Sequence, residues 1–73
     1  MSRLPQITDR KFIQIIRQRG FMFQRQARGS HEIWFNQSMK LFVTIPRHAG
    51  KTIKKGTLLS MMKDAGLKRE DLI

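Results

Sequence analysis

The stretch Arg28-Gly29-Ser30-His31-Glu32-Ile33-Trp34-Phe35-Asn36-Gln37-Ser38 decides how this chain folds. Arg28-Gly29-Ser30 reads as a turn, residues 31–35 as a strand rich in aromatic and β-branched side chains, and Asn36-Gln37-Ser38 as the next turn. Alternation puts Ile33 and Phe35 on one face of that strand and Trp34 on the other. Upstream, Phe21 and Phe23 alternate with Met22 and Gln24. Downstream, Leu41, Val43 and Ile45 keep the same period of two until Pro46, which cannot continue a ladder. Three strands joined by short polar turns imply an antiparallel meander.

On either side of the meander the period becomes helical. Thr8 is the expected N-cap of a first helix, Asp9 complements its positive end, and Gly20 stands where a left-handed residue ends it. Phe12, Ile13, Ile15 and Ile16 fall in one arc, and Arg10, Lys11, Gln14, Arg17 and Gln18 fill the other. A second helix is expected from an N-cap near Thr57 to Gly66, with Leu58, Met61, Met62 and Ala65 inward as core filler. Residues 46–56 form a basic connection without a period, and residues 68–73 add at most one short turn of helix. The expected fold is α+β, in the order α-β-β-β-α. It forms one domain over residues 1–73, with two helices covering one face of a three-stranded antiparallel sheet. Ile33 and Phe35 are expected beneath the helices, and Trp34 on the open face among polar neighbours.

Composition narrows the function. The 73 residues carry 15 Lys or Arg against 5 Asp or Glu, a net charge of +10. Between Arg10 and Lys63 the only acid is Glu32. Such an excess points to a polyanion, nucleic acid before an anionic membrane surface, because no helix has the wide apolar face and aromatic anchor that a membrane surface needs. No Cys is present, which removes disulfides and thiolate chemistry and fits a reducing compartment without requiring one. No apolar run is long enough for a signal peptide or a membrane span. The expectation is a small cytoplasmic basic domain.

Elimination also restricts the chemistry. Metal-assisted phosphoryl transfer needs converging carboxylates, and the five acids are scattered. A histidine metal site needs more ligands at fixed spacing than His31 and His48 provide. No glycine-rich phosphate loop is present, so neither a metal nor another cofactor is expected. What survives is acid–base chemistry at a histidine, a side chain suited to neutral pH, acting on RNA, whose own 2′-hydroxyl serves as nucleophile. His31 is expected near Arg25, Arg28 and Lys40, cations that would hold phosphate and stabilise developing charge. On residues alone, however, a lone histidine in a basic domain is more often an ordinary strand residue.

A resemblance changes that weighting. Gly29-Ser30-His31-Glu32-Ile33-Trp34-Phe35 is similar to the G-S-H strand of the HicA toxins, a family of mRNA interferases. Val43-Thr44-Ile45-Pro46-Arg47-His48, Gly56-Thr57-Leu58 and Ala65-Gly66-Leu67 resemble the same family in the same order, as do Leu4-Pro5 and Gly20-Phe21. The similarity spans nearly the whole chain. Lys68 departs from it, standing where a helix-capping Ser is common. The resemblance implies a double-stranded-RNA-binding-domain-like fold, an RNA-cleaving toxin acting on mRNA, and a HicB-type antitoxin that neutralises it. It makes His31, the histidine of G-S-H, the catalytic residue. Arg25, Arg28, Ser30, Lys40, Arg47 and His48 are the expected RNA-binding residues.

Three points stay open in the sequence. His31 shares a strand face with Ile33 and Phe35, so it must escape burial either at the strand start or through a bulge around Gly29-Ser30. His48 contacts phosphate or orders its loop, with a second catalytic histidine as the alternative. Trp34 stacks a base, packs under a neighbour or meets the antitoxin. The rival function is a non-catalytic RNA-binding module of the same fold. A DNA-binding regulator is weaker still, because no helix-turn-helix pair is present.

Overall fold

The computed structural model describes residues 4–73. Its elements are α1 (Asp9–Gln18), β1 (Phe21–Gln26), β2 (His31–Asn36), β3 (Leu41–Pro46) and α2 (Lys55–Ala65), followed by a 3₁₀ turn at Arg69–Leu72. The strands form an antiparallel sheet in the order β1-β2-β3. Both helices supply one hydrophobic cluster against one sheet face: Phe12, Ile13 and Ile16 from α1, and Leu58, Met61, Met62 and Ala65 from α2, meet Phe21, Trp34, Val43 and Ile45. This is the α-β-β-β-α architecture expected from the element order, and it agrees with the double-stranded-RNA-binding-domain-like fold that the resemblance implies.

Helix ends follow their local chemistry. The Thr8 hydroxyl accepts the Lys11 N–H at 3.1 Å, capping α1. Gly66 takes the left-handed conformation (φ 70°), and the Leu67 N–H reaches back to the Met62 carbonyl at 2.9 Å, which closes α2. The start of α2 differs from expectation. The helix begins at Lys55, and Thr57 lies inside its first turn instead of capping it. The tail gains its short turn from Asp71, whose carboxylate accepts the Lys68 N–H and pairs with Arg19.

The strand phase of β2 is the main correction. Trp34 is only 7% exposed and sits in the core, while Ile33 and Phe35 lie on the open face. Register explains why. Trp34 pairs with Val43 and Glu32 with Ile45, and both β3 residues are sealed beneath the helices. Once Val43 and Ile45 point inward, their partners must do so too. The polar members of this inward row are each satisfied. Glu32 accepts the Trp34 indole N–H at 3.0 Å, and Asn36 donates to the Arg19 carbonyl and accepts from the Met39 N–H. A polar group with such partners is tolerated inside, so apolar content alone does not choose the buried face. Outside, Phe35 stacks on Phe42 with ring centroids 4.4 Å apart, and Met22 pairs beside them.

Candidate functional site: a two-histidine cleft at one end of the sheet

His31 opens β2 directly after a tight turn. Its N–H is given to the Arg28 carbonyl, its own carbonyl accepts the Ala27 N–H at 2.7 Å, and Gly29 supplies the positive φ that the turn requires. Because β2 has the opposite phase to the one expected, the face shared by His31, Ile33 and Phe35 is the uncovered one, and His31 is exposed. No bulge at Gly29-Ser30 is needed. The bulge lies in β1 instead, between Phe23 and Arg25, and it turns Arg25 to pair with Ile33 on the face of His31.

On the other side of His31 stands the end of β3. His31 pairs with Pro46, and the Arg47 N–H donates to the Ser30 carbonyl at 3.0 Å. The Gly-Ser-His and Pro-Arg-His stretches, well separated in sequence, are therefore adjacent. Beyond them the chain turns at His48–Lys51, where the Lys51 N–H meets the His48 carbonyl at 2.9 Å and both Ala49 and Gly50 have positive φ. His31 and His48 line one cleft of about 490 Å³ together with Asp9, Pro46, Lys51, Lys54 and Thr57. Residues 51–54 are fixed there because Thr52 bridges to Thr8 and the Ile53 N–H donates to the Ile7 carbonyl at 2.8 Å.

The cleft is built around a buried carboxylate. Asp9 is fully buried and accepts four hydrogen bonds: Arg10 N–H and Gly50 N–H on Oδ1, Arg47 Nε and His48 N–H on Oδ2, all between 2.8 and 3.1 Å. Burial alone would raise its pKa. The Arg47 guanidinium and the His48 and Arg10 peptide groups outweigh that and hold the carboxyl below its ordinary value. Arg47 answers in kind: its bond to Asp9 first, against the cost of burial, and then Glu32 push the guanidinium pKa up. Its Nη1 also reaches both Glu32 oxygens at 3.3 Å. Asp9, Arg47, Glu32 and the Trp34 indole thus form one chain of polar contacts from the helix start through the loop into the sheet.

A chain of this fold, with the two motif stretches joined at one sheet end, matches the family model described as HicA toxin of bacterial toxin-antitoxin over residues 10–67. The chain belongs to the HicA toxin family. It is a toxin of the toxin–antitoxin kind. No curated protein matches it. Among the described residues no helix is long and apolar enough to cross a membrane.

In this HicA toxin the expected site residues separate into three groups. His31, His48, Arg25, Arg28 and Ser30 gather at one end of the sheet, and the two histidines share the cleft. Lys40 does not join them. It lies in the β2–β3 turn, with φ 57°, a full strand length from His31, roughly 17 Å at ~3.4 Å per residue. The expected hairpin neighbourhood fails because β2 is paired end to end with β3, so their connecting turn is at the far edge. Arg47 stands at the His31 end, with its guanidinium held by Asp9 and Glu32 and its side chain 33% exposed. Trp34 offers no stacking surface for a base, being buried; the open-face aromatic rings of this HicA chain are Phe35 and Phe42. Lys51, Lys54 and Thr57 join the cleft without a sequence signal of their own, and by sequence Asp9 is only a helix-end charge. An acid at the first helical position signals dipole complementarity, and nothing in its spacing reveals a loop 38 residues away in hydrogen-bonding range.

Proposed function

We propose that this HicA-family toxin is an endoribonuclease that cleaves mRNA without a metal ion, through histidine acid–base catalysis at His31. The observation that carries the reading is the cleft in which His31 stands with His48, Lys51 and Lys54 at the end of an open sheet face. The reaction asks for little else. The RNA 2′-oxygen loses its proton and attacks the adjacent phosphorus, the P–O5′ bond breaks, and the 5′-oxygen takes up a proton. The products are a 2′,3′-cyclic phosphate and a 5′-hydroxyl. His31 serves as base at the 2′-hydroxyl or acid at the 5′-oxygen. Lys51, Lys54, Arg25 and Arg28 hold phosphate oxygens, where fixed cations stabilise charge as it develops.

Metal independence is supported by how three of the 5 acids are spent. Asp9 and Glu32 are committed to Arg47, and Asp71 to Arg19 and the Lys68 N–H. Among the described residues no three His, Asp or Glu side chains converge to hold an ion. Substrate bases would lie along the open face, where Phe42 is 52% and Met22 73% exposed beside Phe35. Such rings take any base by stacking and favour unpaired strands. Neutralisation falls to a HicB-type antitoxin that covers the cleft, an acidic surface whose association slows as salt rises. The expected compartment is the cytoplasm.

The test is His31→Ala in a protein shown to be folded. Cleavage of a long RNA should fall by about 10²–10⁴, the usual contribution of a positioned acid or base, with RNA affinity nearly unchanged. Cleavage at the parent rate removes His31 from the chemistry, and an unmutated protein that binds RNA but never cuts it is a binding module of this fold.

A further inference from the structure

We infer that His48 is the second proton-transfer group of the cleft, paired with His31 so that one imidazole takes the 2′ proton and the other supplies the proton to the departing 5′-oxygen. This rests on the endoribonuclease reading above and goes beyond it in assigning the second transfer. The attacking and departing oxygens lie on opposite sides of phosphorus, so one side chain does not serve both in a single step, and a second group must stand within reach of the same phosphate. The ionisable side chains lining the cleft are Asp9, His31, His48, Lys51 and Lys54. Asp9 has both oxygens occupied by four donors and is held ionised, so it has no proton to give and no free lone pair aimed at substrate. The lysines are compact ammonium donors, suited to holding the phosphate oxygens. His48 is what remains.

The backbone of His48 is built to keep it there. Its N–H is tied to Asp9 Oδ2 at 3.1 Å and its carbonyl to the Lys51 N–H at 2.9 Å. The two positive-φ residues that follow, Ala49 and Gly50, tighten the turn, and Gly50 is itself tied to Asp9. Both anchors of His48 are main-chain groups, so its imidazole is left exposed at the cleft wall. A residue that served only to order the loop would spend its side chain on the loop. Here Asp9 orders the loop and acts as the positioning residue, and substitution of the imidazole leaves those bonds in place. Glu32, which follows His31 in β2, is engaged by Arg47 and the Trp34 indole.

The experiment compares two substrates cut at one mapped bond: an RNA oligonucleotide with the natural 5′-oxygen, and the same oligonucleotide with sulfur at the bridging 5′ position. Sulfur departs as a thiolate without help from an acid, so it rescues the loss of an acid and leaves the loss of a base unrepaired. On the natural substrate His48→Ala and His48→Gln should each slow single-turnover cleavage by about 10²-fold or more, with RNA affinity within a few fold of the parent and one limb of the pH–rate profile gone. On the sulfur substrate one of His31→Ala and His48→Ala should regain nearly the parent rate and the other should not, which assigns acid and base. His48→Ala cutting within about threefold of the parent, rescue of both variants, or rescue of neither overturns the pairing. Those results leave His31 standing if His31→Ala is still slow. An unmutated protein that does not cleave either substrate defeats the endoribonuclease reading itself.

Discussion

The two ends of the β2–β3 hairpin differ in their cations and in what lies behind them. At the His31 end, a fully buried carboxylate gathers Arg47 and the peptide groups of His48 and Gly50, and the loop it organises presents His48, Lys51 and Lys54 to one cleft. At the other end, Asn36 pins the turn through the Met39 N–H and the Arg19 carbonyl, and Lys40 projects from it into solvent. Both ends carry cations. Only one concentrates titratable side chains on a common space. A net charge of +10 therefore attracts polyanions everywhere, while the buried Asp9–Arg47 pair fixes the loop that carries His48 and Lys51 to the cleft of His31.

The largest way to break this contrast is to cut the pair. Arg47→Ala strands the Asp9 carboxylate, 1% exposed, without its cation. Denaturant unfolding should show a loss of roughly 3–5 kcal/mol, as for removal of one partner from a buried ion pair. Lys40→Ala, at the other end, should stay within about 0.5 kcal/mol of the parent. Equal effects at the two ends would mean that the pair does not organise the fold. Asp9 makes a related prediction for pH. Its folded pKa lies below the ordinary 3.8, so its contribution to stability is complete above about pH 4 and disappears as pH falls through the lower, folded value. An Asp9→Asn protein, if it folds, should start less stable and lose less between pH 5 and about 2.

How far the sequence goes toward this picture depends on the kind of information each feature needs. Thr8, Gly20, Gly66 and the period-two row of β3 act within a few residues, and they behave as local rules require. The phase of β2 does not. Ile33 and Phe35 outscore Glu32, Trp34 and Asn36 in apolar content, yet the polar row is internal because Arg47, Arg19 and Met39 satisfy it from elsewhere in the chain. The motif histidine was legible, and its escape from the core followed from the phase that was not. Lys51 and Lys54 read as part of an unpatterned basic loop, since long-range contacts bring them to His31: the Thr8–Thr52 bridge, the Ile7–Ile53 bond and the Asp9 bonds to His48 and Gly50.

A smaller effect sharpens the same contrast through binding. Lys51→Ala and Lys54→Ala should each weaken RNA affinity and reduce the slope of log K against log salt by about 0.7, the value for one contact to a single strand. They should also slow cleavage of bound RNA, because the proposed reaction sets the cleft lysines against the reacting phosphate. Lys40→Ala should leave the rate for bound RNA unchanged even if affinity drops slightly. A cleavage defect in Lys40→Ala as large as in Lys51→Ala would put the reacting phosphate somewhere other than the cleft.

The most direct measurement is the chemistry of the cut ends. A long RNA is incubated with the unmutated protein in EDTA, and the fragment termini are identified. Cleavage by the 2′-hydroxyl under histidine acid–base control predicts undiminished cutting, 2′,3′-cyclic phosphate and 5′-hydroxyl ends, and no cut where the 2′-hydroxyl has been replaced by hydrogen. Ends carrying 5′-phosphate, or activity lost in EDTA and restored by magnesium or manganese, would contradict the account.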